Sequence, residues 1–70
     1  MMRAGVIGLG DMGSGLAKNL LQNSFDTTGF DLVQNRMDVF AAMGGVPAQD
    51  ASEVGQNSDV VFVMVMTGGQ

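Results

Sequence analysis

Val6-Ile7-Gly8-Leu9-Gly10-Asp11-Met12-Gly13 is an apolar run that breaks into three glycines spaced G-x-G-x-x-G. Gly5, Val6 and Ile7 read as the end of a buried strand, and Met12, Leu16, Ala17, Leu20 and Leu21 recur behind the glycines at helical spacing. Strand, glycine turn, helix is the setting that gives this triplet meaning. Each glycine has its own reason. Gly8 allows the tight turn out of the strand, Gly10 leaves room for a pyrophosphate to approach the backbone, and Gly13 lets the helix lie close against the strand. Free N–H groups of the first helical turn, with the positive end of the helix dipole, then face the phosphates without a basic side chain.

A further element follows. Asp31 comes after Gly29-Phe30 at the end of an expected second strand. It stands at about the 20-residue distance from the glycines at which an acid binds an adenosine ribose. The plainer alternative is that Asp31 caps the helix that comes next. An acid here favours NAD over NADP, because a carboxylate accepts from a 2'-hydroxyl and repels a 2'-phosphate, and Leu32 offers no cation beside it. Arg36, one helical turn on, is the residue able to swing back.

The remaining chain reads as alternating strands and helices. Strands are expected over 3–7 and Asp26–Asp31, and helices over Met12–Gln22 and Gln34–Met43, the second with Val39, Phe40 and Met43 on one stripe and Gly44-Gly45 as its stop. Val46-Pro47-Ala48 suits a short edge strand. Asp50 and Glu53 form a capping-box variant opening a helix that ends near Asn57. Val60 to Met66 is the most strongly written strand, expected to be buried on both faces. The fold class is therefore α/β, the start of a doubly wound Rossmann domain in the order β-α-β-α-β-α-β, with right-handed crossovers. Ligands of such sheets lie at the carboxyl ends of strands where the strand order reverses. Gly8, Leu9, Gly10, Asp11, Met12 and Gly13 should face Met64, Val65, Met66 and Gln70 across one crevice, with Asp31 and Leu32 at its adenosine end.

Composition narrows the chemistry. With 70 residues, no cysteine and no histidine, the chain has no disulfide framework, no thiol chemistry and no expected metal site. A net charge of −4 argues against a nucleic-acid partner. The run from Val60 is far shorter than the roughly 20 residues that span a bilayer, and a strand beginning near the first residue leaves no room for a signal peptide, so a cytoplasmic protein is expected. Most of the seven methionines fall on core stripes, and Lys18, the single lysine, lies on an outer helix face. Asp11 beside a phosphate site is expected to point away. No catalytic residue is expected within the stretch.

The segments Gly5-Val6-Ile7-Gly8-Leu9-Gly10-Asp11-Met12-Gly13 and Leu16-Ala17-Lys18-Asn19-Leu20-Leu21 resemble the N-terminus of the 3-hydroxyisobutyrate dehydrogenase family, also called β-hydroxyacid dehydrogenases. Asp31, Gly44-Gly45-Val46, Asp50 to Glu53 and Asp59-Val60-Val61 continue the resemblance along the chain. It implies an NAD- or NADP-dependent oxidoreductase acting on a small hydroxyacid. Residues 1–70 would be an incomplete cofactor-binding domain. A helical C-terminal domain outside this stretch would carry the catalytic lysine and the substrate-anchoring residues, and would form a homo-oligomer. Val65-Met66 departs from the family's usual Leu-Pro, and with Thr67-Gly68-Gly69-Gln70 it is similar to the threonate-dehydrogenase subgroup. A non-catalytic nucleotide-binding or redox-sensing module, and a 6-phosphogluconate dehydrogenase or imine reductase relative, are the alternatives.

Overall fold

The computed structural model describes residues 2–64, which form β1 (Arg3–Ile7), α1 (Asp11–Gln22), β2 (Asp26–Phe30), α2 (Gln34–Ala42), β3 (Val46–Pro47), α3 (Ala51–Gln56) and β4 (Val60–Val63). All strand pairs are parallel and the sheet order is β3-β2-β1-β4. The chain lays β2 and β3 successively to one side of β1, then crosses back to place β4 on the other. The order therefore reverses at β1, where Ile7 pairs with Phe30 on one flank and Val63 on the other. The carboxyl ends of β1 and β4 bound the crevice that such a reversal opens.

Hydrophobic burial centres on β1 and the helices against it. Val6, Leu9, Ala17, Met37 and Phe40 form the core cluster, with Leu16, Leu20, Leu21, Phe30, Met43 and Met64 packed around them. The ring of Phe40 occupies space beside two glycines, and a Cβ on either Gly29 or Gly45 would overlap it. Gly29, which weakens β2 by local propensity, is thus a seat for the largest fully buried side chain.

Helix ends follow from local chemistry. At the end of α2 the Gly45 amide donates to the Phe40 carbonyl and the Gly44 amide to the Ala41 carbonyl, with Gly44 at φ +106°. This is a Schellman cap, and it uses the glycine stop expected there. The same pattern closes α1, where Phe25 donates to Leu20 and Ser24 to Leu21. The left-handed position is filled there by Ser24, at φ +67°. At α3 the Glu53 amide donates to Asp50 Oδ1 at 2.8 Å, while Glu53 Oε1 accepts from the Gln49 amide at 2.9 Å. The reciprocal bond thus falls one residue before the cap.

Three expectations need correction. Met12 is 76% exposed and belongs to no core stripe, because in the first turn of α1 it lines the cleft rather than the core, where α1 buries Gly13 and Ala17. On α2 the buried stripe is Met37 and Phe40 with Met43, while Val39 faces outward. β4 is not buried on both faces. Among the described residues it has β1 as its partner on one edge and none on the other, and Val63 is 58% exposed. The ladder runs on to Met64, whose amide donates to the Ile7 carbonyl at 2.8 Å. The expected residues Val65, Met66 and Gln70, and the loop at 67–69, lie outside the described residues.

Candidate functional site

The glycine loop joins β1 to α1, and its three glycines meet different surroundings. Gly8 has φ +97°, and a Cβ there would overlap the Met64 carbonyl. A Cβ on Gly13 would overlap the Gly8 carbonyl, so α1 and β1 approach as closely as they do only without a side chain there. Gly10 is different. It has ordinary extended geometry, φ −71° and ψ −162°, and a Cβ would come no nearer to the surrounding protein than 3.6 Å, to Arg36 Nη1. Protein packing and backbone strain account for Gly8 and Gly13; they do not account for Gly10. As the N-cap of α1, Gly10 also brings no side chain to accept from the first-turn amides, which leaves those donors for a bound group.

The loop is held from two sides. The Leu9 amide donates to Asp31 Oδ2 at 2.7 Å, and the Leu9 carbonyl accepts from the Ser14 hydroxyl at 2.7 Å. The Leu9 side chain is buried in the core beneath. Asp31 Oδ1 accepts from the Val33 amide at 2.8 Å. Arg36 Nη1 stands 3.6 Å from Asp31 Oδ2. The alternative of a helix cap is not made, since α2 begins after Val33 without any side-chain cap bond. Burial pushes the Asp31 carboxyl up, but the Val33 and Leu9 amides and the Arg36 charge outweigh it and hold the group below its usual range. Asp31 is therefore an ionised, hydrogen-bonded carboxylate at neutral pH, facing the glycine loop.

Gly8, Gly10, Asp11, Met12, Gly13, Asp31, Arg36, Val63 and Met64 line one cleft of about 600 Å³. The structure thus brings together the glycine loop, the acid after β2 and the end of β4, as the strand reversal requires. Asp11, expected to point away, is exposed and forms part of the cleft wall. Two expected residues do not line it. Leu9 turns its side chain into the core, and Leu32 is 92% exposed away from the lining. Arg36 is on the wall, although sequence spacing gave it only a possible return toward Asp31. Ser14 was not visible from the residues alone, because the partner of its hydroxyl is a carbonyl five residues back across a turn. Among the described residues no group of acids, histidines or cysteines could hold a metal ion.

A parallel β-α-β unit with its glycine loop and strand-end acid on one cleft at the reversal defines a Rossmann-type nucleotide-binding domain. Residues 3–70 match the model of the NAD binding domain of 6-phosphogluconate dehydrogenase, and the chain belongs to that family. It is 42% identical over 66 residues to an L-threonate dehydrogenase of Cupriavidus necator, a match covering 94% of this chain and 22% of that protein. It superposes on Mycobacterium tuberculosis 3-hydroxyisobutyrate dehydrogenase with a TM-score of 0.91 at 32% identity, over 99% of this chain and 24% of that one. An imine reductase variant from Myxococcus stipitatus in complex with NAD+ gives a TM-score of 0.90 at 32% identity, over 94% of this chain and 23% of that one. The resemblance to the 3-hydroxyisobutyrate dehydrogenase family is borne out. The chain spans less than a quarter of the length of these relatives.

Proposed function

We propose that this chain is the first part of the cofactor domain of an NAD-dependent dehydrogenase acting on a small hydroxyacid. The observation that carries the reading is Gly10, whose missing side chain serves no packing need and opens onto the cleft. The backbone from Gly8 through Leu9, Gly10, Asp11 and Met12 to Gly13 would hold the pyrophosphate, and Asp31 with neighbouring Leu32 the adenosine ribose. Met64, Val65, Met66 and Gln70 would border the nicotinamide end. Asp31, ionised and low in pKa, supports NAD over NADP. NAD, when bound, supplies the hydride acceptor; this stretch binds and orients it. The acid–base groups would come from a helical domain outside this stretch.

The similarity to an L-threonate dehydrogenase supports a four-carbon polyhydroxy acid as substrate. The loop at 65–70 supports the same subgroup by its sequence. A homo-oligomeric, cytoplasmic enzyme completes the reading, and no helix among the described residues is long and apolar enough to cross a membrane. The similarity to an imine reductase favours a second reading, reduction of an imine with the same cofactor domain.

Comparing kcat/KM of the full-length protein on threonate, erythronate, 3-hydroxyisobutyrate and tartronate semialdehyde tests the substrate class. A tenfold preference for either of the last two removes the threonate assignment, and turnover of a cyclic imine without any hydroxyacid activity removes the dehydrogenase reading. Titrating NAD and NADP into the same protein tests the cofactor, and a lower Kd for NADP overturns it.

A further inference from the structure

We infer that Ser14 is a positioning residue of the pyrophosphate loop: its hydroxyl fixes the Leu9–Gly10 peptide in the orientation that presents the Gly10 amide to the ligand. The inference rests on the dinucleotide reading above. Its starting point is that the Leu9 main chain is gripped at both ends by side chains. Asp31 Oδ2 accepts from its amide and the Ser14 hydroxyl donates to its carbonyl, each at 2.7 Å.

Peptide planarity turns these two bonds into a constraint on their neighbours. In a trans peptide the C=O and the following N–H point in opposite directions across one plane. With the Leu9 amide directed at Asp31, the Gly8 carbonyl must face the other way, and it is found against Gly13. With the Leu9 carbonyl directed at the Ser14 hydroxyl, the Gly10 amide must point to the opposite edge of the same peptide plane, away from that hydroxyl. Gly10 lies on the cleft wall.

That orientation needs holding. Glycine on the far side of the Leu9–Gly10 peptide removes the steric barrier that normally limits its rotation, so without a partner for the carbonyl the plane can turn over at little cost. The buried Leu9 side chain anchors the Cα but leaves that plane free. The Ser14 hydroxyl is the group that closes this freedom. A serine inside a helix has low intrinsic merit there, and here its hydroxyl reaches back past its own turn to the loop.

The test is Ser14→Ala in the full-length protein, with Ser14→Thr as the conservative variant. ADP-ribose and adenosine are each titrated in competition with NAD, and thermal unfolding is followed in parallel. We expect Ser14→Ala to raise the Kd of ADP-ribose about tenfold, to leave that of adenosine within twofold and to raise KM for NAD with kcat unchanged. Ser14→Thr should recover most of the loss. Equal weakening of both ligands, or a lower melting temperature with unchanged ADP-ribose affinity, assigns Ser14 a merely structural role and overturns the inference. If the wild-type protein binds neither NAD nor ADP-ribose, the dinucleotide reading falls and this inference with it. Binding by wild type with an unaffected Ser14→Ala overturns the inference alone.

Discussion

The carbonyl oxygen of Gly8 lies against the Cα of Gly13, so the strand end and the first turn of α1 meet backbone to backbone. A side chain on Gly13 would have to occupy the position of that oxygen. The same loop leaves the α-carbon of Gly10 open toward the cleft.

This difference separates two substitutions that look alike on paper. Gly10→Ala keeps an allowed backbone and meets no protein atom closer than 3.6 Å, so its melting temperature should stay within about 2 °C of wild type. Its NAD affinity should fall by tenfold or more. Gly13→Ala should cost several kcal/mol, on the order of a severe overpacking, because backbone must move. Differential scanning calorimetry paired with NAD titration checks both, and a Gly10→Ala protein that binds NAD normally would remove the main support for the site.

Acid should act through Asp31. Its folded-state pKa lies below that of the unfolded chain, so the ionised group stabilises the fold; the contribution is complete above the ordinary carboxylate value, about 4, and is lost as pH falls through the lower folded value. Asp59 adds a second such contribution, its carboxyl lowered by the Arg3 amide and guanidinium. Melting temperature measured between pH 3 and 7 should show a decline at the acid end, shallower in Asp31→Asn and in Asp59→Asn. NAD affinity should follow the Asp31 part alone, and an acid limb of binding unchanged in Asp31→Asn would contradict the assignment.

Ser24 holds the left-handed position that closes α1, a conformation that costs a non-glycine residue roughly 1–2 kcal/mol. Ser24→Gly relieves this strain but gives the unfolded chain more freedom. The net expectation is a gain of about 0.5–1 kcal/mol, read from denaturant midpoints. A loss would mean that the serine hydroxyl makes a compensating bond.

Ser58 offers the converse case. Its hydroxyl is buried beside Gly5 and Val54, with no hydrogen-bond partner among the described residues. Ser58→Ala should be neutral or stabilising by up to about 1 kcal/mol, since an unsatisfied polar atom is removed and little volume is lost. Phe40→Ala should do the opposite and cost about 3–5 kcal/mol, because Gly29 and Gly45 have no side chains with which to fill the space.

Much of this architecture was legible in the residues themselves. The glycine spacing after an apolar strand sets β1, the loop and α1; Gly44 at the end of α2 and Asp50 with Glu53 at the start of α3 announce their caps through local hydrogen bonds that need nothing distant. What was not legible depends on the third dimension. The period of α2 cannot say that Met37 rather than Val39 turns inward, since that is decided by where the sheet lies. Gly29 reads as a fault in β2 until the Phe40 ring is seen against it. An unbroken apolar run at β4 announces two covered faces, yet coverage depends on neighbours that the run does not contain. Ser14 and Arg36 carry no motif, and each matters only through a group brought close by the turn between β1 and α1 or between β2 and α2.

The two margins of the sheet are unlike. β3 is two residues long and includes Pro47, which cannot donate to another strand and so discourages addition. β4 has no such guard: Val60, Val61, Phe62 and Val63 carry neither charge nor proline, and among the described residues no strand pairs with their outer edge. Handled by itself in solution, this stretch would therefore self-associate from that side, strand upon strand, before it showed any other behaviour, and a lysine substituted for exposed Val63 is the simplest way to keep it dispersed.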